Sequence, residues 1–301
     1  MRATATLALR APVGSERVPD FDRGWIDANG LRRPFLAYVD ADISVNWSDE
    51  LEMLHEESSR DHFIDVHTRA SMLASLPKLP RDPTILDVGC STGYQLHDLH
   101  VSFPEATLIG VDMIAAGLCK AHALVPTACL LQADACELPL EEACVDAVLS
   151  ANLLEHIPDD LRALAEIRRV LRPGATAIVV VPTGAGCYDY YDRFLGHVRR
   201  YRHGEMAEKA RSVGLEVDGD FHLGSLIYPA FWAVKQRSRR RFGALAADQL
   251  RQRVAHDISS TKNWWLGEWA CATERHLHGV GVNLPFGIRG LTVLHRPEES
   301  S

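Results

Sequence analysis

The sequence is poor in the features that would assign it quickly. Its seven cysteines (Cys90, Cys119, Cys129, Cys136, Cys144, Cys187, Cys271) are odd in number, scattered, and form no C-x-x-C pair, which argues for reduced thiols rather than a disulfide framework or a zinc site. No uninterrupted apolar run approaches the roughly 18–20 residues of a membrane span, and Arg10 interrupts an early apolar stretch already too short for a signal peptide. A basic excess is also absent. Thirty-two Lys and Arg against 40 Asp and Glu leave a net charge of -8, so general nucleic-acid binding is not expected. Internal repeats and low-complexity tracts are missing too. What remains is an ordinary globular composition, 47% hydrophobic and 24% charged over 301 residues, enough for one large domain or one domain with a small lid. The opening MRATATLALRAPVGSER reads as a disordered tail, and the chain as a soluble cytoplasmic protein.

Three textures follow one another. Up to about residue 80, an irregular stretch leads into a helix expected from Trp47, with Ser48 as its N-cap and Asp49, Glu50 and Glu52 in the first turn. Leu51, Met53 and Leu54 start its apolar face. Phe63, Ile64, Val66 and Met72 continue it after a break near Ser58 and Ser59, and Pro77 and Pro80 end it. From Thr84 to about Phe221, apolar strands (TILDVG, ATLIGVD, ACLLQAD, VDAVLSAN, ATAIVVVP) alternate with helices, most clearly Asp159–Leu171 and Glu205–Val213. That rhythm predicts a doubly wound α/β sheet, covered on both faces, whose ligands sit beyond the strands' carboxyl ends. From Leu223 to about Pro285 the rhythm stops. An apolar part (LGSLIYPAFWAV), a basic run (KQRSRRRF) and three tryptophans precede a last strand, GLTVLH.

The loop after the first strand, Gly89-Cys90-Ser91-Thr92-Gly93, admits three readings. As G-x-S-x-G it would make Ser91 a hydrolase nucleophile, but no H-G-G-G-like element lies upstream. A dinucleotide site would want G-x-G-x-x-G, which is not present. The third reading turns on Asp87: a carboxylate two residues before the first glycine repels a pyrophosphate but suits the ammonium of an amino-acid ligand. Asp112 closes the second strand at one βαβ spacing, where an acid accepts from ribose hydroxyls. Asp134 closes the third, placed for an exocyclic adenine amine. Any one acid could be a helix cap or turn residue; the ordered set of three is harder to explain that way.

DVGCSTG, GVD, QADACELPL, VDAVLSANLLEHI and EIRRVLRPG resemble, in order and spacing, the Rossmann-like (class I) S-adenosylmethionine-dependent methyltransferases, closely over Thr84 to Thr183 and more loosely to Val217. The resemblance implies a mostly parallel seven-stranded sheet whose last strand, GLTVLH, runs antiparallel. It implies a tail and helical lid over 1–80, a cofactor-binding core over 81–222, a helical insertion over 223–285 and the last strand and tail over 286–301. It assigns Asp87, Gly89 and Gly93 to the methionine end of S-adenosyl-L-methionine, with Ser91, where the family has glycine, adding a hydroxyl contact. Asp112 and Met113 go to the ribose, Asp134 and Ala135 to the adenine, and Asn152 and Leu153 to the far side.

Methyl transfer needs mainly alignment and exclusion of water, so catalytic residues are less legible. Glu155 and His156 follow the fourth strand, and His197, in GHVRRY after the fifth, can act as a base near neutral pH. GHVRRY resembles a motif in many bacterial family members, several encoded beside glycan or lipid pathways. Ubiquinone-pathway and small-RNA methyltransferases carry E-x-x-E-H and a later His around a divalent metal. Here the pattern reads Asn152-Leu153-Leu154-Glu155-His156, with His197 as a candidate fourth ligand; the missing first carboxylate weakens a metal site, and no metal is assigned. Tyr188, Tyr191, Arg200 and Tyr201 are the expected acceptor contacts, with Arg199 and Arg200 as a fork for an anionic group. His62, Phe63, His67 and Arg69 belong to the lid, where ordinary helix packing is the plainer role. The function expected is O-methylation of a small metabolite. The runner-up is a glycan or lipid-linked saccharide acceptor at a membrane surface, and the distant alternative is the Ser91 hydrolase. The insertion is expected to be a pocket wall or a homodimer surface, with membrane contact a lesser expectation.

Overall fold

The core strands are short and buried on both faces. In Thr84–Val88, Ile85 and Leu86 point to opposite sides of the sheet and each is 0% exposed, which requires helices on both faces. The computed structural model describes residues 7–12, 14–39, 60–242, 249, 253–254 and 264–298. Its strands are β1 (Trp25–Ile26), β2 (Arg32–Arg33), β3 (Leu36–Ala37), β4 (Thr84–Val88), β5 (Thr107–Asp112), β6 (Cys129–Gln132), β7 (Val145–Ala151), β8 (Leu171–Pro182), β9 (Glu216–Leu223) and β10 (Arg289–His295). Its helices, in chain order, are α1 (Phe63–Ala74), α2 (Tyr94–Ser102), α3 (Ala115–Leu124), α4 (Asp160–Val170), α5 (Tyr190–Phe194), α6 (Glu205–Ser212), α7 (Tyr228–Phe242) and α8 (Trp265–Gly279).

Eight strands form one sheet in the order β3-β6-β5-β4-β7-β8-β10-β9. Pairing is parallel from β3 through β8, and β10 runs antiparallel to both β8 and β9. This is the Rossmann-like sheet the resemblance implies, with eight strands rather than seven, and two of them match none of the strand motifs read from the sequence. One is β3, a two-residue edge strand beside β6. The other is β9, whose polar alternation, half exposed along its length, marks an edge strand rather than a buried one. The chain reverses direction through the sheet between β4 and β7, so the carboxyl ends of β4 to β7 open a crevice there.

One face of the sheet packs Leu86, Ile109 and Val148 against Ala163, Leu164, Ile167 and Val170 of α4; the other packs Ile85, Leu130 and Leu149 against Leu96, Leu99, Leu118 and Ala121 of α2 and α3. Each such Leu or Ile contributes roughly 1.5–3 kcal/mol by leaving water. Helix α4 begins where Asp159 accepts the Arg162 N–H at 3.2 Å, and its buried side chains recur at helical spacing.

The opening residues depart from the disordered tail expected of them. Leu9 is buried and bridges Leu140, Arg10 N donates to the Pro139 carbonyl, and the Glu141 N–H donates to Ala8. Alternate apolar residues Leu7 and Leu9 meet the core there, a period-2 pattern too short to stand out in the sequence. Trp25 is 1% exposed, its indole N–H donating to the Leu130 carbonyl at 2.9 Å. The helix expected from Trp47 to Ser59 lies outside the described residues. Its continuation, α1, buries Phe63, Ile64, His67, Thr68, Ser71 and Met72, while Val66, expected on that face, is 40% exposed. Among the described residues, no helix is long and apolar enough to cross a membrane.

Candidate functional site

The crevice is a cavity of about 1230 Å³, larger than the roughly 300–1,000 Å³ of a single small-ligand site. Its sheet-side wall is made by Gly89, Ser91, Asp112, Met113, Asp134, Ala135, Asn152 and Leu153. The opposite wall carries Phe63 and Ile64 of α1, Tyr191 and Leu195 of the α5 region, Phe231 and Val234 of α7, and Trp264 and Ile288.

The sheet-side wall owes its shape to the backbone. Gly89 has φ +82° and lies so close to Leu153 that an added Cβ would come within 3.0 Å of the Leu153 Cβ. Ser91 and Asn152 take positive φ without being glycine, strain of the kind that persists where the surroundings impose it. Asp112 holds the turn: Oδ2 accepts the Ser91 N–H at 2.8 Å and Oδ1 the Ile114 N–H at 2.9 Å. Asp134 Oδ1 likewise accepts the Cys136 N–H at 2.8 Å. Both acids are thus turn residues as well as cavity residues, and a carboxylate retains lone pairs for further donors.

Asp87 and Gly93 stand behind this wall. Asp87 is 3% exposed, and its Oδ2 has no hydrogen-bond partner among the described residues. Burial, and then the charge of Asp112, push its carboxyl up to about 8. A buried carboxyl with an orphaned oxygen next to a glycine turn fits a cationic group approaching along the Val88–Gly89 backbone. Gly93 serves helix packing instead. At φ +86° it caps α2, where an added Cβ would lie 2.8 Å from the Ala121 Cβ of α3.

Glu155, His156 and His197 come together at the cavity wall, their ligand-type atoms all within 4.8 Å of one another. The first two lie on a single 3₁₀ turn, Leu154–His156, just after β7. Glu155 is 1% exposed; burial raises its carboxyl, opposed by the nearby His197, and Oε2 has no hydrogen-bond partner among the described residues. His197 Nε2 is 3.9 Å from Glu155 Oε1. The rings of His156 and His197 meet edge-on with centroids 4.7 Å apart.

GHVRRY is where the sequence-based assignments and the geometry diverge. Arg200 lines the cavity, but its Nε donates to Asp192 Oδ1 at 2.6 Å and its guanidinium lies over the Phe231 ring. Arg199 pairs with Asp160 at 2.5 Å and donates to the Pro158 carbonyl. The two guanidiniums therefore do not form a fork toward an anion; internal carboxylates at matching positions engage both. Tyr201 is fully buried, donating to Asp160 Oδ2 at 2.8 Å, and Tyr188 donates to the His197 carbonyl at 2.7 Å. Neither lines the cavity, whereas Tyr191 does. Of the residues expected in a lid, His62 and Phe63 reach the cavity wall, while His67 packs away from it, 3.5 Å from Glu274 of α8, and Arg69 pairs with Asp98.

Asp192, Asp189 and Lys235 are functional candidates that sequence reasoning missed. Lys235, from α7, is 8% exposed and pairs with Asp189 Oδ1 at 2.7 Å. At the rim, Arg289 of β10 pairs with Asp65 of α1 at 2.6 Å. The available signals were weak: Asp192 stands five residues before His197, and Lys235 falls at the helical spacing of Phe231 and Ser238 in an otherwise basic run.

A family model described as a methyltransferase domain matches residues 86–179. A probable S-adenosylmethionine-dependent methyltransferase of Mycolicibacterium smegmatis is 31% identical over 47% of this chain and 56% of its own length, so the chain spans little more than half of that relative. The malonyl-[acyl-carrier protein] O-methyltransferase of Hahella chejuensis is 34% identical over 69% of this chain and 72% of its own. Among solved structures, phosphoethanolamine N-methyltransferase 2 of Haemonchus contortus, in complex with S-adenosyl-L-methionine, aligns with a TM-score of 0.57 at 16% identity. That alignment covers 83% of this chain and 58% of that one, and at this identity the likeness concerns the fold alone.

Proposed function

This chain belongs to the class I S-adenosylmethionine-dependent methyltransferases, and from that premise we propose that it methylates a hydroxyl oxygen of a small, largely apolar metabolite. The observation that carries this reading is a cavity that joins the strand-end acids Asp112 and Asp134 to the Glu155, His156 and His197 cluster and to an apolar helical wall.

In this reading Asp87, Gly89 and Ser91 receive the amino-acid end of the cofactor, Asp112 and Met113 the ribose, Asp134 and Ala135 the adenine, and Asn152 and Leu153 the side facing the acceptor. When bound, S-adenosylmethionine supplies a methyl group on a positively charged sulfur. The apolar wall of Phe63, Ile64, Phe231, Val234 and Trp264 excludes water and holds the acceptor by its hydrophobic body. His197 Nε2 takes the proton of the acceptor hydroxyl, and Glu155 and His156 hold that hydroxyl in place. Oxygen as the target is favoured by the O-methyltransferase name of the Hahella relative, and a hydroxyl rather than a carboxylate oxygen is the part of the reading that rests on this base. The Ser91 amide is committed to Asp112, so in this reading Ser91 shapes the turn and offers the cofactor its hydroxyl.

Calorimetric titration with S-adenosylhomocysteine tests the cofactor half. Asp112→Ala removes two charge-assisted hydrogen bonds to the ribose and should weaken binding by about 3 kcal/mol, more than a hundredfold. No saturable binding by folded wild-type protein would end the proposal. Incubation with methyl-labelled cofactor and a panel of apolar alcohols and phenols tests the acceptor half, with label expected in an ether.

A further inference from the structure

Asp192 is a carboxylate gripped from several sides. It is 0% exposed. Its Oδ1 accepts Arg200 Nε at 2.6 Å and lies 2.9 Å from His197 Nδ1, while Oδ2 accepts the Asp189 N–H at 3.0 Å, closing the capping box of α5. Lys235 Nζ stands 3.8 Å from Oδ2. The backbone repeats the connection, since the His197 N–H donates to the Asp192 carbonyl at 2.9 Å. Charge is balanced locally: Arg200 from GHVRRY and Lys235 from the insertion helix α7 face the carboxylates of Asp189 and Asp192.

A neutral imidazole carries one N–H donor and one acceptor nitrogen. A charged carboxylate only accepts, so the nitrogen facing Asp192 must be the donor, and the lone pair is left on Nε2. That nitrogen faces Glu155 Oε1 at 3.9 Å, and its ring stands edge-on with that of His156, all three residues lining the cavity. We propose that Asp192 is the positioning residue of this site: it acts through His197, fixing the Nδ1–H tautomer so that the Nε2 lone pair meets the acceptor. The proposal rests on the methyl-transfer reading for its purpose, but not for its geometry. The guanidinium of Arg200 and the ammonium of Lys235, together with the His197 bond, hold the Asp192 carboxyl well below the usual carboxylate range despite its burial. Asp192 therefore keeps its charge and does not itself take the proton. The insertion, through Lys235, is in this view part of the proton-handling apparatus as well as a wall.

The test needs no acceptor. Nitrogen-15 NMR of histidine-labelled protein at pH 8, with His197→Gln to assign the signal, reads the tautomer directly. Wild-type His197 is expected as Nδ1–H with a bare Nε2. Asp192→Ala is expected to average the two tautomers and, with an acceptor, to lower kcat on the order of a hundredfold while the affinity for S-adenosylhomocysteine stays unchanged. An Nε2–H tautomer in the wild type, which requires no variant to fold, overturns the proposal, as does an unchanged signal in Asp192→Ala. Failure of wild type to bind S-adenosylhomocysteine would strike the methyl-transfer reading instead, and the tautomer measurement keeps the two failures apart.

Discussion

If Asp87 receives the ammonium of the cofactor, binding must expel a proton. In the free protein its carboxyl is pushed up to about 8, so at pH 7 the group is about 90% protonated. An ammonium placed against the orphaned Oδ2 favours the charged form, and a carboxylate that ionises completely on binding releases about 0.9 proton per ligand. Only the ionised fraction is competent, about 1% at pH 6 and about 50% at pH 8. The apparent affinity should therefore rise about fifty-fold across that interval.

Calorimetry of S-adenosylhomocysteine binding in phosphate and in Tris at pH 7 measures the release directly. The slope of observed enthalpy against buffer ionisation enthalpy counts the protons given up. Asp87→Asn should bring that slope close to zero, and at pH 9 the wild type should release only about 0.1 proton. Equal enthalpies in both buffers, with binding intact, would refute the reasoning: Asp87 would then be ionised before the ligand arrives, or remain protonated beneath it.

Other consequences can be checked on the same preparations. The Asp87 carboxyl is raised in the folded state above its ordinary value of 3.8, so the stability it lends is fully present below about pH 4 and lost as pH rises toward 8; ligand-free Tm should fall over that window, and Asp87→Asn should fall less. Gly93→Ala combines a left-handed φ with a Cβ 2.8 Å from Ala121 and should cost about 1–3 kcal/mol in urea denaturation; an unchanged midpoint would contradict the steric argument. Ser91→Ala should bind S-adenosylhomocysteine within a few-fold of wild type, and an activated phosphonate should not label Ser91; stoichiometric labelling would revive the hydrolase reading. If the cluster handles protons as proposed, methyl transfer should survive dialysis against EDTA; loss restored by a divalent cation would reassign Glu155, His156 and His197 to cation binding.

What the sequence made legible was local. Asp87, Asp112 and Asp134 each lie at or within two residues of the end of an apolar strand, so strand and acid are read from the same few residues, and the structure puts Asp112 and Asp134 in the cavity wall with Asp87 just behind it. What it concealed depended on distant partners. Arg200 and Tyr201 had the composition of acceptor contacts, and only the fold brings Asp192 and Asp160 against them. Gly93 had the position of a cofactor glycine, yet its neighbour is Ala121 on another helix. The edge strand β9 went unmarked because Glu216, Asp218 and Asp220 interleave with its partly buried positions, and the pattern that keeps an edge from pairing with strangers is the one that masks a strand.

This division between local and distant has a physical consequence for specificity. The cofactor side rests on strand ends and the turns they impose, and few substitutions there leave the backbone in place. The acceptor side is assembled from α1, α5, α7 and the segment before β10, which meet only through tertiary contacts, so its lining can change while the sheet does not. Of the cations among the described residues that line the cavity, three on that side are held by internal carboxylates: Arg200 by Asp192, Lys235 by Asp189, Arg289 by Asp65. A carboxylate acceptor that drew one of these three from its partner would leave a buried charge unpaired, at a cost of about 3–5 kcal/mol. An uncharged hydroxyl on an apolar body asks for no such rearrangement, needing only the hydrophobic wall and a hydrogen-bond acceptor at His197.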